Sequence, residues 1–294
     1  MCLILFAWNA HPDYRLVVAA NRDEFHQRPT NAADFWPLHP EVLAGRDLQA
    51  GGTWLGVTRS GRFAAVTNFR EPLAPETPLE RSRGELVTDF LTGDLQPLEH
   101  AENLRGSLSS YRGFSLLIGT PDSLVCVSNR QVQETVVADG CHGLSNHLLD
   151  TDWPKVRAGR DRLEQLLSGD RLDPEALLDM LTDRGRVPGD MPAGAEDNEI
   201  RRHLMNHYFI VSPEYGTRSS TVLLIGREGD ATFVERRFAP DGAETGLVAA
   251  GGVRGIEPAF RLQGALEVAE QDPRLGPLLA EVKAREDQGF AYDS

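Results

Sequence analysis

The second residue of the chain is the first candidate for chemistry. Cys2 lies where chains usually fray into solvent, yet the apolar run Leu-Ile-Leu-Phe follows it at once and is typical of a buried strand. If Met1 is removed, the free α-amine of Cys2, whose ordinary pKa is about 7.7–8.0, can act as the base for its own thiol. The position alone favours the simpler interpretation, a small buried residue of a strand.

A second candidate is the run Asn21-Arg22-Asp23-Glu24, which directly follows an apolar strand. Polar side chains at the end of a strand can project into a site. The alternative is a group of solvated charges where a hairpin ends, and composition alone favours that alternative.

Three more polar residues stand at the ends of apolar runs. Asn68 in VTNFRE and Asn146 in HGLSNH carry amides that can donate to an oxyanion, although Asn is also common where a strand ends. Arg218 stands at the head of the run STVLLIG, where it can lower the pKa of a nearby thiol or simply cap the strand. Each of these signals is weak by itself.

Metal sites are poorly supported by the sequence. His203 and His207 are spaced to share a helix face, but HLMNH lacks the glutamate of a metalloprotease motif. Cys126 and Cys141 are too far apart for a zinc knuckle. We therefore expect neither a metal nor a cofactor.

The composition restricts the partners and the compartment. A net charge of −14 and a pI of about 5.0 argue against nucleic acid and against an anionic membrane surface, because phosphate binding needs a basic patch. The basic residues are 28 arginines and two lysines, which we interpret as a compositional bias. Three cysteines do not make a disulfide framework, and no apolar run approaches the roughly 20 residues of a membrane helix. Without a signal-peptide pattern, we expect no membrane insertion and a cytoplasmic location.

The pattern of apolar runs and turn residues predicts a mainly β first half. Short turns indicate three hairpins, between LILFAW and YRLVVAAN, between TWLGVT and RFAAVTNF, and between FSLLIGT and LVCVSN. Later in the chain, NHYFIVS, TRSSTVLLIG and ATFVERRF are also predicted to be strands.

Helices are predicted between and after these strands. Ser82 and Glu85 form a capping box that opens RGELVTDFL. Two more helices are predicted to begin near Pro154 and Pro174, and the last 40 residues or so have a helical pattern. A Gly/Pro-rich loop near residues 185–197 is predicted to be mobile.

These elements predict a layered fold. Strands such as FSLLIGT are apolar without alternation, so both of their faces should be buried. Tight hairpins imply antiparallel pairing, and antiparallel sheets buried on both sides need cover on both sides. The predicted fold is therefore α+β, a four-layer α-β-β-α sandwich of two stacked antiparallel sheets; a β-sandwich with peripheral helices is the less economical alternative. No repeat or composition break divides the chain, so residues 1–294 are predicted to form one domain.

Seven blocks of sequence occur in an order that is typical of one family. They are MCLILFAWN, ANRDEF, GGTWLGV, TNFR, SRGEL, SNHLLDTDWPKV and GTRSSTVLL, and they lie between residue 1 and about residue 225. Together they resemble the NRDE-motif family, also called the transport and Golgi organisation 2 family. The last 70 residues or so carry little of the resemblance.

The resemblance implies a set of catalytic residues. The family is similar to the N-terminal nucleophile (Ntn) hydrolases, which share the sandwich fold, and within them to the cholylglycine hydrolase and penicillin V acylase group, which begins Met-Cys and loses the methionine. Matched by motif, Asp23 would hold the α-amine of Cys2. Asn68 and Asn146 would supply the oxyanion and amine contacts, and Arg218 would favour the thiolate.

The resemblance also bears on the substrate contacts, which we expect from Asn21, Arg22, Glu24 and Arg70. The acylase group has Arg-Asn-x-Asp at its second strand, whereas this chain has ANRD. The arginine has therefore moved by two places, which keeps it on the same strand face but advances it along the strand.

The resemblance implies a hydrolase of the amidase type. It would act on a non-peptide C–N bond of a small-molecule amide through an acyl-Cys2 intermediate. The alternative is a non-catalytic carrier on the same fold for haem, an acyl-CoA or a related lipid-like ligand, with Cys2 or His26 as a haem ligand. Eukaryotic members of the family are connected with Golgi organisation, lipid metabolism and haem trafficking, and these links do not define the chemistry of this chain.

Overall fold

The computed structural model describes residues 2–70, 81–169, 172–188 and 206–251. Within these ranges the chain forms two antiparallel sheets. Sheet I consists of β1 (Leu3–Trp8), β2 (Tyr14–Phe25), β10 (Gly140–Leu144), β11 (Tyr215–Gly226), β12 (Ala231–Phe238) and β13 (Glu244–Gly251), in the order β10-β1-β2-β11-β12-β13. Sheet II consists, in spatial order, of β3 (Thr30–Trp36), β4 (His39–Asp47), β5 (Leu55–Thr58), β6 (Phe63–Asn68), β7 (Phe114–Thr120), β8 (Ser123–Ser128) and β9 (Thr135–Val136).

Helices cover the outer face of each sheet. The helices are α1 (Arg83–Thr92), α2 (Pro97–Leu104), a short 3-10 helix (Arg105–Ser110), α3 (Pro154–Leu167) and α4 (Pro174–Thr182). The apolar residues of α1 and α2 pack with the outer face of sheet II. Those of α3 and α4 pack with the outer face of sheet I.

The alternation of side chains along the strands builds the layers. In β1, Ile4 and Phe6 point into the core between the sheets, while Leu3 and Leu5 point to the helices. The core between the sheets also contains Phe63 of sheet II. The predicted four-layer α-β-β-α sandwich is therefore confirmed.

Many of the predicted elements are confirmed. The three hairpins are β1–β2, β5–β6 and β7–β8. α1 begins with the predicted capping box, in which Gly84 N donates to Ser82 Oγ (3.3 Å) and Ser82 N donates to Glu85 Oε1 (3.0 Å). α3 and α4 begin at Pro154 and Pro174 as predicted.

Other predictions are wrong or incomplete. NHYFIVS (206–212) is not a strand. Side chains bond to part of its backbone, with Tyr208 O accepting from Asn21 Nδ2 (2.7 Å) and Ile210 N donating to Thr217 Oγ1 (2.9 Å), and the backbone of β11 reaches it where Thr217 N donates to Ile210 O (2.9 Å). The NRDE run does not follow a strand but lies inside β2, which continues to Phe25. The sequence patterns also missed β3, β4, β13 and α2.

Some predictions concern residues that the structure does not describe. Most of the 185–197 loop and all of the predicted C-terminal helical part lie outside the described residues. The extent of the domain, residues 1–294, stays a prediction. Among the described helices none is long and apolar enough to cross a membrane.

Candidate active site

Cys2 lies immediately before β1, an inner strand of sheet I next to its edge strand β10. β1 is paired with β2 on one side and β10 on the other, so the start of the chain is held in the sheet. Ser145 Oγ also donates to the carbonyl of Cys2 (2.8 Å). Alternation along the strand places Cys2 on the same side as Ile4, facing the space between the sheets. The thiol therefore has a fixed place in the fold instead of a frayed one.

A small cavity of about 90 Å³ opens beside Cys2. Sheet I contributes residues 22–24 of β2, sheet II contributes Asn68 at the end of β6, and the start of α1 contributes Arg83. Five of the predicted site residues are thus brought together: Cys2, Arg22, Asp23, Glu24 and Asn68. Asn21 lines a smaller adjoining space, while Asn146, Arg218 and Arg70 are not among the described residues that line the cavity.

The alternation of β2 divides the NRDE run between two faces of sheet I. Asn21 faces the helices, where its Nδ2 donates to the carbonyls of Leu181 (2.8 Å) and Tyr208 (2.7 Å) and its Oδ1 accepts from Ser220 Oγ (2.6 Å). Both amide hydrogens are used by the backbone. The amide of Asn21 therefore holds the segment after α4, and its substrate contact stays a prediction.

Arg22 faces the space between the sheets and is desolvated. Its side chain is 5% exposed, and its guanidinium lies 4.2 Å from the centre of the Trp54 ring. Burial lowers the pKa of Arg22. Among the described residues, Nη1 of Arg22 is buried and has no hydrogen-bond partner. An unsatisfied buried donor is costly in free energy, so this place favours a ligand that carries an acceptor or a negative charge.

Asp23 is held on the helix-facing side of the sheet. Its carboxylate is 4% exposed and accepts from Thr217 Oγ1 (2.7 Å). Burial raises the pKa of Asp23, while the positive charges at the amino end of the chain, of Lys155 and of Arg22 act in the opposite direction. This carboxylate is placed to interact with an ammonium group at the start of the chain.

Two opposing influences act on the Cys2 thiol. Burial raises its pKa and is the largest cause, and the charge of Asp23 adds to the increase. The positive charge at the amino end of the chain, a hydrogen bond from the backbone of Asp23 and the charge of Arg22 lower the pKa. Formation of the thiolate thus depends on the charges at the site.

Asn146 supports the site from behind. It is 2% exposed and has a left-handed backbone (φ 53°), a conformation that non-glycine residues seldom adopt. Its Nδ2 donates to the carbonyl of Asn68 (2.8 Å), and its own carbonyl accepts from the backbone of Arg70 (2.8 Å). Asn146 therefore fixes the end of β6, where Asn68 enters the cavity.

Arg218 is directed elsewhere. The register of β2 and β11 shifts between Thr217 and Ser219, which leaves Arg218 as the extra residue of a β-bulge. Its Nη1 donates to the carbonyls of Phe25 (2.9 Å), His26 (3.2 Å) and Arg28 (3.1 Å), so it supports the loop after β2. The charges of Arg22 and Arg83, which both line the cavity, interact with Cys2, and the structure does not bring Arg218 to the thiol as predicted.

Several residues of the cavity were missed from the sequence. Arg28 and Asp47 line the cavity and form an ion pair, with 2.7 Å between Nε and Oδ2. Trp54 and Arg83 line it as well, and they lie in GGTWLGV and SRGEL, two of the blocks that carry the family resemblance. The signal for these two residues was present, but their role depends on the cavity, where the start of α1 and the residue before β5 lie near Cys2 and β2.

Comparisons with known proteins bear on the family and the fold. The model of the family "Transport and Golgi organisation 2" matches residues 1–240. The chain belongs to this family. It is 40% identical over 258 residues to the Transport and Golgi organization protein 2 homolog of Bos taurus, covering 80% of this chain and 92% of that one. The homolog of Homo sapiens is 35% identical over 257 residues, with the same coverage.

Solved structures add distant likenesses for this Transport and Golgi organisation 2 family member. Penicillin V acylase from Agrobacterium tumefaciens is 10% identical, with a TM-score of 0.43 over 79% of this chain and 82% of that chain. The Caenorhabditis elegans N-acylethanolamine-hydrolyzing acid amidase ortholog is 11% identical, with a TM-score of 0.40 over 76% and 92%. The assignment of the fold comes from the two sheets and their helical layers.

Proposed function

We propose that this protein is an amidase-like hydrolase that cleaves a non-peptide C–N bond through an acyl-Cys2 intermediate. The observation that supports this most is the place of Cys2: a cysteine at the amino end of the chain, held at the start of an inner strand of sheet I, shares one cavity with Asp23, Arg22 and Asn68. The proposal requires that Met1 is removed, so that the α-amine belongs to Cys2.

In the first step the thiolate of Cys2 attacks the amide carbonyl, and a C–S bond forms. The α-amine of Cys2 takes the thiol proton and becomes an ammonium, which Asp23 holds. Asn68, which lines the cavity, is the proposed donor to the oxyanion. Asn146 acts indirectly, because it fixes the backbone of Asn68.

In the second step the C–N bond breaks and the ammonium returns its proton to the leaving amine. Water, deprotonated by the now neutral α-amine, then attacks the thioester and releases the acid, which restores the thiol. The desolvated guanidinium of Arg22 is the proposed contact for an acceptor or anionic group of the substrate. Glu24 lies at the rim with Arg28 (4.0 Å), where it is the proposed contact for the rest of the substrate.

A trapping experiment tests this mechanism. The protein is incubated with a panel of N-acyl p-nitroanilides, quenched in acid and digested, and acyl adducts are located by mass spectrometry. We expect one acyl group on the Cys2 peptide, no adduct in Cys2→Ala, and an unchanged adduct in the control Cys126→Ala. Acylation that survives in Cys2→Ala would contradict the proposal.

A second candidate function is a carrier that binds haem, an acyl-CoA or a related lipid without turnover. The observation that favours it is the partly buried Cys2, the pKa of whose thiol is raised by burial, next to an arginine suited to an anionic group. A carrier requires neither Met1 removal nor an acyl-enzyme. Saturable binding of such a ligand, lost in Arg22→Met, together with no adduct at Cys2, would favour this function over the first.

A further inference from the structure

Lys155 is an unusual residue in this chain. The sequence has 30 basic residues but only two lysines, and Lys155 is 1% exposed. It lies in the first turn of α3, where the positive end of the helix dipole disfavours a cation. A buried ammonium at such a place is costly in free energy unless an opposite charge compensates for it.

The fold places this ammonium behind the Cys2 site. α3 lies close against sheet I because Gly143 and Gly159 have no side chain: a Cβ on Gly159 would come within 2.6 Å of Leu5 Cδ1. Asp23 is buried on this helix-facing side of sheet I. Burial lowers the pKa of Lys155, and the negative charge of Asp23 opposes this effect more than that of Cys2 does.

We propose that Lys155 is a positioning residue of the Cys2 site, whose ammonium keeps the Asp23 carboxylate charged so that Asp23 can hold the α-amine of Cys2. Lys155 itself contacts no substrate in this arrangement. This positioning role rests on the proposed function, but the charge interaction between Lys155 and Asp23 can be measured without turnover.

The physical reason is a balance at Asp23. Burial favours the neutral acid, and Lys155 is one of the positive charges that oppose it. A neutral carboxylic acid would be a poor partner for an ammonium group. Lysine suits this place better than arginine does, because its charge is compact, has three donors and fits a closed space. This difference between the two side chains is the reason we give for a buried lysine in a chain whose basic residues are nearly all arginine.

Nuclear magnetic resonance can test the pair directly in the full chain. Labelling with lysine enriched in ¹³C at Cε gives only two lysine signals, and Lys283→Arg identifies which one is Lys155. Because burial disfavours the ammonium, we expect the Lys155 signal to titrate below the ordinary pKa of about 10.4. In Asp23→Asn the pKa of Lys155 should fall by about one further unit, since an opposite charge is lost. An unchanged pKa in Asp23→Asn would overturn the proposal.

Alkylation of Cys2 provides the second test. Lys155→Met should shift the midpoint pH of Cys2 alkylation by about one unit, because it removes a positive charge near the site and, with it, the charge of Asp23. Lys155→Arg retains the charge and should keep the midpoint near the wild-type value. Val156→Ala is the control, because it removes buried methyl groups from the same turn of α3 without changing any charge.

The results separate this inference from the proposed function. If Lys155→Met leaves the midpoint unchanged, or if Val156→Ala shifts it equally, Lys155 does not position the site. If Cys2 has ordinary reactivity while Asp23→Asn still lowers the pKa of Lys155, the interaction between Lys155 and Asp23 is supported and the proposed role of Cys2 as a nucleophile is contradicted. If Lys155→Met does not fold, the titration of the wild type and of Asp23→Asn still decides.

Discussion

Cys2 and Cys126 both lie on the side of their sheets that faces the other sheet, but they have very different surroundings. Cys126 lies in β8 among the apolar residues between the two sheets, where burial raises its pKa to about 12. Cys2 lies at the start of β1, and burial raises its pKa too. Only at Cys2 do a positive chain end, a backbone hydrogen bond and an arginine oppose the effect of burial.

The difference shows what the sandwich supplies and what it does not. Packing alone produces an inert thiol, as at Cys126, because low polarity disfavours the thiolate. A thiol can be reactive in this core only where charges and donors from several elements converge on it. At Cys2 the charges come from the amino end of the chain and from Asp23 and Arg22 of β2, and the backbone of Asp23 supplies a hydrogen bond. The following predictions test whether the convergence matters, beginning with the largest effect.

Asn68→Ala should reduce kcat by about 100-fold or more, because one oxyanion donor is typically worth about 3–4 kcal/mol of transition-state stabilisation. Turnover is measured with the N-acyl p-nitroanilide that acylates Cys2. Asn129→Ala is a matched control: Asn129 bonds to the backbone near β7, with Phe114 N donating to its Oδ1 (3.0 Å), and does not line the cavity. The control should lose stability but keep kcat. Wild-type kcat in folded Asn68→Ala would rule out the oxyanion role.

Arg22→Met should raise the midpoint pH of Cys2 alkylation by about one unit, which is a tenfold lower rate below the midpoint. The reason is that the positive charge of Arg22 favours the thiolate. Arg218→Met is the comparison, because the guanidinium of Arg218 bonds to the loop after β2. We expect the midpoint pH of Cys2 alkylation in Arg218→Met to stay within a few tenths of a pH unit of the wild-type value. The opposite order would return the role to Arg218, as the sequence predicted.

The sequence predicted the elements whose signals are local. Hairpin turns, the Ser82–Glu85 capping box and the helix starts at Pro154 and Pro174 all depend on neighbouring residues, and the structure confirms them. The meeting of Cys2 with the NRDE run followed from the family resemblance.

The parts that the sequence did not predict depend on long-range packing. A lysine is ordinary in a sequence, and Lys155 becomes unusual only because α3 lies close against sheet I. The role of Arg218 at the thiol is what the family resemblance implies, and nothing in its sequence neighbours shows the β-bulge that turns it toward the loop after β2. NHYFIVS has the composition of a strand, but Asn21 and Thr217 take up its backbone groups.

The smallest predicted effect concerns the loop that carries Asn146. His142 Nδ1 lies 2.7 Å from Asp150 Oδ2, and this hydrogen bond raises the pKa of His142 above its ordinary 6.5. The pair therefore stabilises the fold fully below about pH 6.5, and its contribution is lost as the pH rises through the higher folded-state pKa. Asp150→Asn should reduce this pH dependence, and Asn tolerates the left-handed backbone at this position (φ 55°). Urea unfolding of the wild type and of Asp150→Asn at pH 6 and pH 8 measures this pH dependence. If the free energy of unfolding falls equally from pH 6 to pH 8 in both proteins, the assignment is contradicted.

The most direct test of the central claim is intact mass followed by alkylation across pH, mapped separately to Cys2, Cys126 and Cys141. Burial raises the pKa of Cys141 to about 11 and that of Cys126 to about 12, so both provide internal references for inert thiols. Our account predicts a chain without Met1, in which Cys2 alkylates below pH 8 and far faster than the other two. A retained Met1, or a Cys2 that reacts no faster than Cys126 and Cys141, would contradict it.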